Sequence, residues 1–99
     1  MSKVKYETKE LEKSLGRLSF GMLLESHRKS EELSQKDFAK VLGISSSSLC
    51  ELEKGKKLPS ASRAFNIATT LGVSANLWVE VALQDQLIKQ GLDLQVSVA

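Results

Sequence analysis

Cysteine, proline and histidine each occur once among the 99 residues of this sequence, and only five residues are aromatic. The lone cysteine, Cys50, excludes an intrachain disulfide framework and is typical of a reducing compartment. The lone histidine, His27, leaves no cluster of cysteines and histidines that could bind zinc. Because His27 shares a helical face with Phe20 and Leu24, we expect a packed histidine and not a catalytic base. The sequence therefore predicts no enzyme, no metal site and no cofactor.

Long apolar segments are also missing. No apolar run approaches the ~18 residues that a membrane-spanning helix requires, and the N-terminus lacks the apolar segment of a signal peptide. We therefore expect a cytoplasmic protein. The net charge is only +2, so any affinity for nucleic acid must come from clustered basic residues and not from overall charge.

The first 18 residues form a charged region in which lysine and glutamate surround few apolar side chains. Leu11, Leu15, Leu18 and Met22 recur at helical spacing, which predicts a short helix over about residues 8–15. A solvated arm without regular structure is the alternative. We predict an N-terminal arm at residues 1–18 that is partly helical.

Residues 19–91 contain the start and stop signals of five helices. A serine stands in the capping position before each predicted helix; these are Ser19, Ser34, Ser45, Ser60 and Ser74. Four of the predicted helices stop at a glycine, at Gly43, Gly55, Gly72 and Gly91, and the first should run to about Ser30. The predicted buried stripes are Phe38, Val41 and Leu42 in the second helix, and Ala61, Ala64, Phe65, Ala68 and Leu71 in the fourth. The predicted fold is all-α, a compact five-helix bundle.

The fifth helix is apolar on two sides. Leu77, Val81 and Ile88 share one side, flanked by Trp78 and Ala82, whereas Val79, Leu83 and Leu87 lie nearly opposite. A helix of this kind needs two neighbours, and in so small a domain we expect the second to be another chain. In the tail, residues 92–99, the apolar residues Leu94, Val96 and Val98 alternate with polar ones, which predicts a short strand that must pair, for example with its symmetry mate. We therefore predict a homodimer formed by Val79, Leu83, Leu87, Leu94, Val96 and Val98.

The stretch from Leu33 to Pro59 is predicted to form two short helices joined by a tight turn. At 100° per residue, Leu49 and Leu52 face the core, and the opposite side presents Ser46, Ser47, Cys50 and Glu51. A helix without bulky groups at its N-terminal end can enter the DNA major groove and reach base edges. Lys54, Lys56 and Lys57 follow at its far end and suit contact with phosphates. Gln35, at the start of the preceding helix, can hold a phosphate oxygen together with the free backbone N–H groups.

Glu53 lies only about 40° from Leu49 around this helix, so its carboxylate should be partly buried and needs a partner. Arg28, one turn past Leu24 on the first helix, is the predicted partner. We interpret the pair as structural, joining the first helix to the third.

These residues together resemble the Cro/repressor-type (XRE-like) helix-turn-helix family. The matching positions are Arg28, Leu33-Ser34-Gln35, Phe38-Ala39, Gly43-Ile44-Ser45, Leu49, Leu52-Glu53-Lys54-Gly55-Lys56 and Pro59. The resemblance covers about residues 19–83 and implies a lambda repressor-like five-helix domain that binds operator DNA as a two-fold dimer. It implies that Gln35 and Ser45 contact phosphates, that Ser46, Ser47 and Glu51 contact bases, and that Arg28 and Glu53 form an internal ion pair. Family members often carry longer side chains where this chain has Ser46 and Ser47, so water and DNA shape should contribute more to recognition.

The segments on either side of the motif look like those of antitoxin-type regulators similar to the HigA group. That likeness implies a RelE/HigB-like toxin partner, repression of the protein's own operon, and association with the nucleoid when DNA is bound. Two alternatives stay open. One is a phage-type or stand-alone regulator without a toxin, and the other is a protein-interaction module that uses the helix-turn-helix as scaffold.

Overall fold

A computed structural model describes residues 18–98 of the chain. This part contains five helices, which we number α1 Phe20–Ser30, α2 Gln35–Leu42, α3 Ser46–Glu53, α4 Ala61–Leu71 and α5 Ala75–Lys89. The predicted all-α, five-helix fold is confirmed. The arm predicted at residues 1–18, including its short helix, lies outside the described residues except for Leu18. None of the helices α1–α5 has the length and apolar character needed to cross a membrane.

All five helices begin in the same way. The serine before each helix accepts a hydrogen bond from the backbone N–H three residues further on, with distances of 3.0–3.3 Å. These N–H groups have no partner within their own helix, so the serine side chains satisfy donors that would otherwise be lost. The five capping serines are the predicted ones, Ser19, Ser34, Ser45, Ser60 and Ser74.

The helices also end alike, with one exception in residue type. Gly43, Gly55, Gly72 and Gly91 follow α2 to α5 with φ between 70° and 75°, a conformation that suits glycine because it has no Cβ. After α1 the same position is occupied by Glu32, with φ of 56°. The following N–H, that of Leu33, returns to the carbonyl oxygen of Arg28 at 3.2 Å and completes the cap. Since no glycine marks this turn, only the apolar pattern predicted where α1 ends.

The core is centred where α1, α2 and α3 meet, with α4 and α5 closing it. Its largest fully buried side chains are Phe20, Leu24, Phe38 and Leu49, and the ring of Trp78 meets that of Phe20 edge to face at 5.6 Å between centroids. The stripes predicted for α2 and α4 were wrong at one position each. Val41 and Phe65 are about half-exposed, and Ala39 on α2 and Ile67 on α4 are buried although they lay outside the predicted stripes. Both helices are rotated slightly from the predicted orientation, so that Ala39 faces the core in place of Val41 and Ile67 in place of Phe65.

On α5 the core-facing line consists of Trp78, Ala82 and Asp85, all buried. Leu77 and Ile88, on the apolar side that the sequence predicts to be flanked by Trp78 and Ala82, are 48% and 46% exposed. The reason is Asp85, whose Oδ2 accepts a hydrogen bond from the backbone N–H of Phe20 at 2.8 Å. This contact fixes the first residue of α1 against α5 and turns Leu77 and Ile88 toward the surface.

The tail forms no strand within residues 92–98, contrary to the short C-terminal strand that its alternation predicts. A strand needs a backbone partner, and in the single chain the side-chain amide of Gln84 takes that place. Gln84 Nε2 donates to the carbonyl oxygen of Leu94 at 2.8 Å, and the N–H of Val96 donates to Gln84 Oε1 at 2.9 Å.

Gly21 marks the closest approach between α1 and α3. A Cβ added at this position would lie 2.5 Å from the carbonyl oxygens of both Leu52 and Glu53. We expect Gly21→Ala to lower the free energy of unfolding by about 1–3 kcal/mol, because overpacking outweighs the gain of roughly 1 kcal/mol in helix propensity. Ser26→Ala, at an exposed position of the same helix, should stay within about 0.5 kcal/mol. Denaturant titrations of both variants test this, and equal midpoints would contradict it.

Candidate nucleic-acid interface

The helix-turn-helix unit consists of α2, the turn at residues 43–45 and α3. Its orientation is set by apolar contacts: Phe38 on α2 and Leu49 and Leu52 on α3 are buried in the common core. Leu33 and Ile44, which precede the capping serines, pack against the same core from the edge. Because α3 is held by this side, its opposite side faces outward along its whole length.

The outward side of α3 carries the four residues predicted to contact bases. Ser46 and Ser47 are exposed in its first turn, and Cys50 and Glu51 are partly exposed one turn further on. The N-terminal half of this face therefore has only small hydroxyl side chains. Glu51 is accompanied by Lys57 from the following loop, with 3.8 Å between Oε1 and Nζ.

The three lysines predicted to contact phosphates, Lys54, Lys56 and Lys57, are all exposed at the C-terminal end of α3. Their loop is tied to the helix, because the N–H groups of Lys56 and Lys57 both donate to the carbonyl oxygen of Glu51, at 2.9 and 3.3 Å. The loop then enters the core at Pro59, which is buried and whose carbonyl oxygen accepts a hydrogen bond from Gln86 at 3.1 Å. The lysines thus extend from an anchored loop.

The two remaining predicted phosphate contacts are already engaged inside the protein. Ser45 Oγ accepts from the N–H of Ser48 and donates to Ser48 Oγ, both at 3.0 Å. A bond from Ser45 to phosphate would require its hydroxyl proton to turn away from Ser48. Gln35 Nε2 donates to Glu53 Oε1 at 2.9 Å, and since an amide nitrogen carries two protons, one stays available for an external acceptor.

Arg28 and Glu53, predicted from the sequence as an internal pair, lie together. Arg28 Nε donates to Glu53 Oε2 at 2.7 Å and Nη2 donates to Oε1 at 3.2 Å. The third nitrogen, Nη1, donates to the carbonyl oxygen of Leu33 at 3.0 Å. The side chain of Glu53 is only 1% exposed, and its hydrogen bond raises the pKa of Arg28 above the usual value, against the opposing effect of burial. With Gln35, this network joins α1, α2 and α3 behind the outward face.

Three positions that support this face were not found from the sequence. Asp85 fixes α1 to α5, Gln86 holds the carbonyl oxygen of Pro59, and Gly21 allows α1 to approach α3. A signal existed for one of them. Asp85 lies four and seven residues after the apolar pair Val81 and Trp78, so its helical position alone places a carboxylate on a buried stripe.

His27, the only histidine, packs between aromatic rings. Its ring centroid lies 6.1 Å from those of both Phe38 and Trp78, and its Nε2 lies 3.8 Å from Glu31 Oε1. Over residues 18–98, histidine, cysteine, aspartate and glutamate side chains form no group suited to holding a metal ion.

The fold and this outward helix define a protein of the helix-turn-helix class. The model of the helix-turn-helix family HTH_3 matches residues 24–78, which is more than half of the chain. The chain belongs to this family.

Three curated proteins are similar to part of this chain. A Bacillus subtilis protein described as the uncharacterized HTH-type transcriptional regulator YazB is 42% identical over 57 residues, covering 58% of this chain and 83% of its own length. The uncharacterized HTH-type transcriptional regulator MJ0272 of Methanocaldococcus jannaschii is 44% identical over 50 residues, covering 50% and 76%. The ImmF control region 10 kDa protein of Bacillus phage phi105 is 35% identical over 57 residues, covering 58% and 63%. No solved structure matches significantly.

The protein is therefore a transcriptional regulator with a helix-turn-helix DNA-binding domain. Residues 79–99 lie outside the family match. They contain most of α5 and the tail held by Gln84.

Proposed function

We propose that this protein binds operator DNA upstream of its own gene as a homodimer and represses transcription of that gene. The observation that carries the proposal is the outward side of α3, which has small hydroxyl side chains at its N-terminal end and exposed lysines at the other. A major groove of about 12 Å admits a helix whose first residues reach base edges. The lysines at the far end are then placed to meet the phosphates at the rim.

Ser46, Ser47, Cys50 and Glu51 are the proposed base contacts. Serine hydroxyls donate and accept, so Ser46 and Ser47 pair with several bases and discriminate weakly, whereas Glu51 can accept from the amino group of cytosine. Their short reach leaves room for bridging water and makes DNA shape a larger part of recognition.

The pairing of Glu51 with Lys57 explains how an acidic residue can lie on a face that is proposed to meet DNA. In the free protein the lysine offsets a negative charge that would otherwise repel phosphates. Lys57 is 67% exposed and Glu51 40% exposed at the side chain, with 3.8 Å between them. An exposed pair of this kind contributes only about 0–1 kcal/mol, so exchanging it for contacts with a phosphate and a base costs little.

Phosphate contacts are proposed for Gln35, Ser45, Lys54, Lys56 and Lys57. Gln35 is the first residue of α2, where free backbone N–H groups and the positive end of the helix dipole favour an anion. Its side chain is held from behind by Glu53. The buried ion pair thereby contributes to the position of a proposed phosphate contact.

The homodimer is supported by apolar residues that the single chain leaves accessible. Leu94 is 57% exposed, and Val79, Leu83, Leu87, Val96 and Val98 are partly exposed. A dimer presents two α3 helices to the same side of the duplex and compensates for weak discrimination in each half-site.

We further infer that the protein is the antitoxin of a toxin–antitoxin pair with a RelE/HigB-like toxin, in the cytoplasm and on the nucleoid. This inference is supported by the likeness of both flanking segments to HigA-type regulators. If it is correct, the adjacent open reading frame should arrest growth when expressed alone, and co-expression of this chain should relieve the arrest. Adjacent frames that do not affect growth would favour a stand-alone regulator.

The DNA proposal is tested by fluorescence anisotropy, with the duplex from upstream of the protein's own reading frame and a scrambled duplex of equal composition. The three lysines of each chain give six in a dimer, so log K should fall with log salt with a slope of roughly −5. Affinity for the upstream duplex should exceed that for the scrambled one by at least about 1,000-fold at physiological salt.

Each part of the proposal can fail separately, in this titration or in a reporter assay for repression. Equal, weak binding to both duplexes that disappears at modest salt would show contact with phosphates alone. The protein-interaction module would then become the better interpretation. Tight binding to the upstream duplex without repression of a reporter gene would contradict autorepression, and increased reporter expression would indicate an activator.

A further inference from the structure

The tail turns back along α5 after a sharp reversal at Gly91. Gly91, with φ of 74°, donates its N–H to the carbonyl oxygen of Ile88 at 3.0 Å, and Leu92 donates to that of Leu87 at 2.9 Å. These two bonds are a complete C-terminal helix cap. They direct the chain toward Gln84, about two turns before Gly91 along the chain.

Gln84 binds the tail as a neighbouring strand would. Its amide nitrogen donates to the carbonyl oxygen of Leu94, and its amide oxygen accepts from the N–H of Val96. In an extended chain, the C=O of one residue and the N–H two residues later point to the same edge. One edge of the tail is therefore bound by a side-chain amide.

The other edge of the tail is open. It carries the N–H and C=O groups of Asp93, Gln95 and Ser97, and none of these makes a backbone hydrogen bond within residues 18–98. An extended segment with unpaired groups along one edge is a template for another strand. The free edge and the apolar tail residues together predict strand addition at this point.

We propose that this edge pairs antiparallel with the same edge of a second copy of the chain, in a two-stranded ribbon centred on Gln95. This inference deepens the proposed homodimer and rests on it. The alternation of the tail is self-complementary in this register. With Gln95 opposite Gln95 of the second copy, Asp93 lies opposite Ser97 and Leu94 lies opposite Val96, so no like charges meet and apolar residues pair.

A two-stranded ribbon alone would be only marginally stable. Exposed apolar residues near Gln84 supply a further surface that the second copy can cover. At 100° per residue, Leu77 and Ile88 lie within about 40° of Gln84 around α5. Both are about half-exposed, as are Leu92 and Leu94 in the tail. A second copy seated on this side covers the apolar residues and the open edge together. The proposed dimer contact on α5 thus includes the side around Gln84 as well as the stripe of Val79, Leu83 and Leu87.

The register is tested by disulfide trapping in the full chain, with Cys50→Ser removing the native thiol. In the ribbon, hydrogen-bonded opposite residues have Cα atoms about 5.5 Å apart, within the range that a disulfide spans. Gln95→Cys should therefore form a dimer under mild oxidation. Ser97→Cys, on the same edge, is the matched control, since two Ser97 residues are separated by about 13 Å along the strands. We expect at least about tenfold faster cross-linking for Gln95→Cys than for Ser97→Cys.

Adding Gln84→Ala to the Gln95→Cys chain should slow cross-linking several-fold, because the tail loses its hydrogen-bonded support. Sedimentation of the wild-type chain at tens of micromolar should show a dimer without oxidation. Equal cross-linking at positions 95 and 97, a sedimenting monomer, or a ribbon formed only with a different protein would each overturn the proposal. DNA anisotropy of the wild-type chain separates the two failures: specific binding with a salt slope of roughly −3, as three lysines of a monomer would give, would overturn the ribbon and leave DNA binding standing.

Discussion

Glu53→Ala is expected to lower the free energy of unfolding by about 3 kcal/mol or more, because it leaves the charge of Arg28 without its partner in a partly buried position. Arg28 is 13% exposed at its side chain, so the guanidinium cannot be fully hydrated without moving. Gln35 Nε2 loses its acceptor in the same variant. For a domain of this size, the melting midpoint should fall by roughly 12 °C or more.

Two further variants separate charge from packing. Glu53→Gln keeps the shape but replaces one acceptor oxygen by a donor that faces Arg28, so an intermediate loss of stability is expected. Arg28→Met combined with Glu53→Leu replaces the whole pair by apolar groups and should recover much of the loss, since desolvation of both charges is avoided.

A melting midpoint of Glu53→Ala equal to that of the wild type would contradict the interpretation of this pair. Because Glu53 raises the pKa of Arg28, the guanidinium stays protonated up to strongly alkaline pH. The stability that depends on its charge is present below the usual arginine pKa and is lost only as pH rises through the raised value. Melting midpoints compared near neutral pH therefore report the pair in its charged form.

The parts of the fold that the sequence predicts best depend on nearby residues. A capping serine and the N–H that it satisfies are three residues apart, and a glycine adopts its left-handed turn largely by itself. The Arg28–Glu53 pair was predictable for a related reason. A carboxylate at the edge of a buried stripe must have a partner, and few basic residues could reach it.

The rotation of a short helix depends on distant contacts, and here the sequence was misleading. Val41 and Phe65 fit an apolar stripe but are about half-exposed, whereas Ala39 and Ile67 are buried in their place. The orientation of α5 depends on a hydrogen bond between Asp85 and Phe20, 65 residues apart. The side-chain contact between Gln84 and the tail has no signal in an apolar pattern.

Ser47→Asp is expected to separate DNA binding from folding. Ser47 is the second residue of α3 and is exposed. A carboxylate there lies near the positive end of the helix dipole, which favours folding by about 0.3–1 kcal/mol. On the proposed complex the same charge enters a groove lined by phosphates, where juxtaposed like charges cost several kcal/mol. Affinity for the upstream duplex should therefore fall by at least about 100-fold, while the melting midpoint stays unchanged or rises.

Asn76→Asp is the matched control for this variant. Asn76 is the second residue of α5 and is exposed, so the substitution makes the same change in net charge at the same helix position, away from α3. If the loss of affinity came only from lowering the net charge, both variants would weaken binding equally in anisotropy titrations. We expect a change of less than about threefold for Asn76→Asp, in line with a general charge effect through screened solvent. Unchanged affinity in Ser47→Asp would instead remove α3 from the groove and leave DNA contact to the lysines alone.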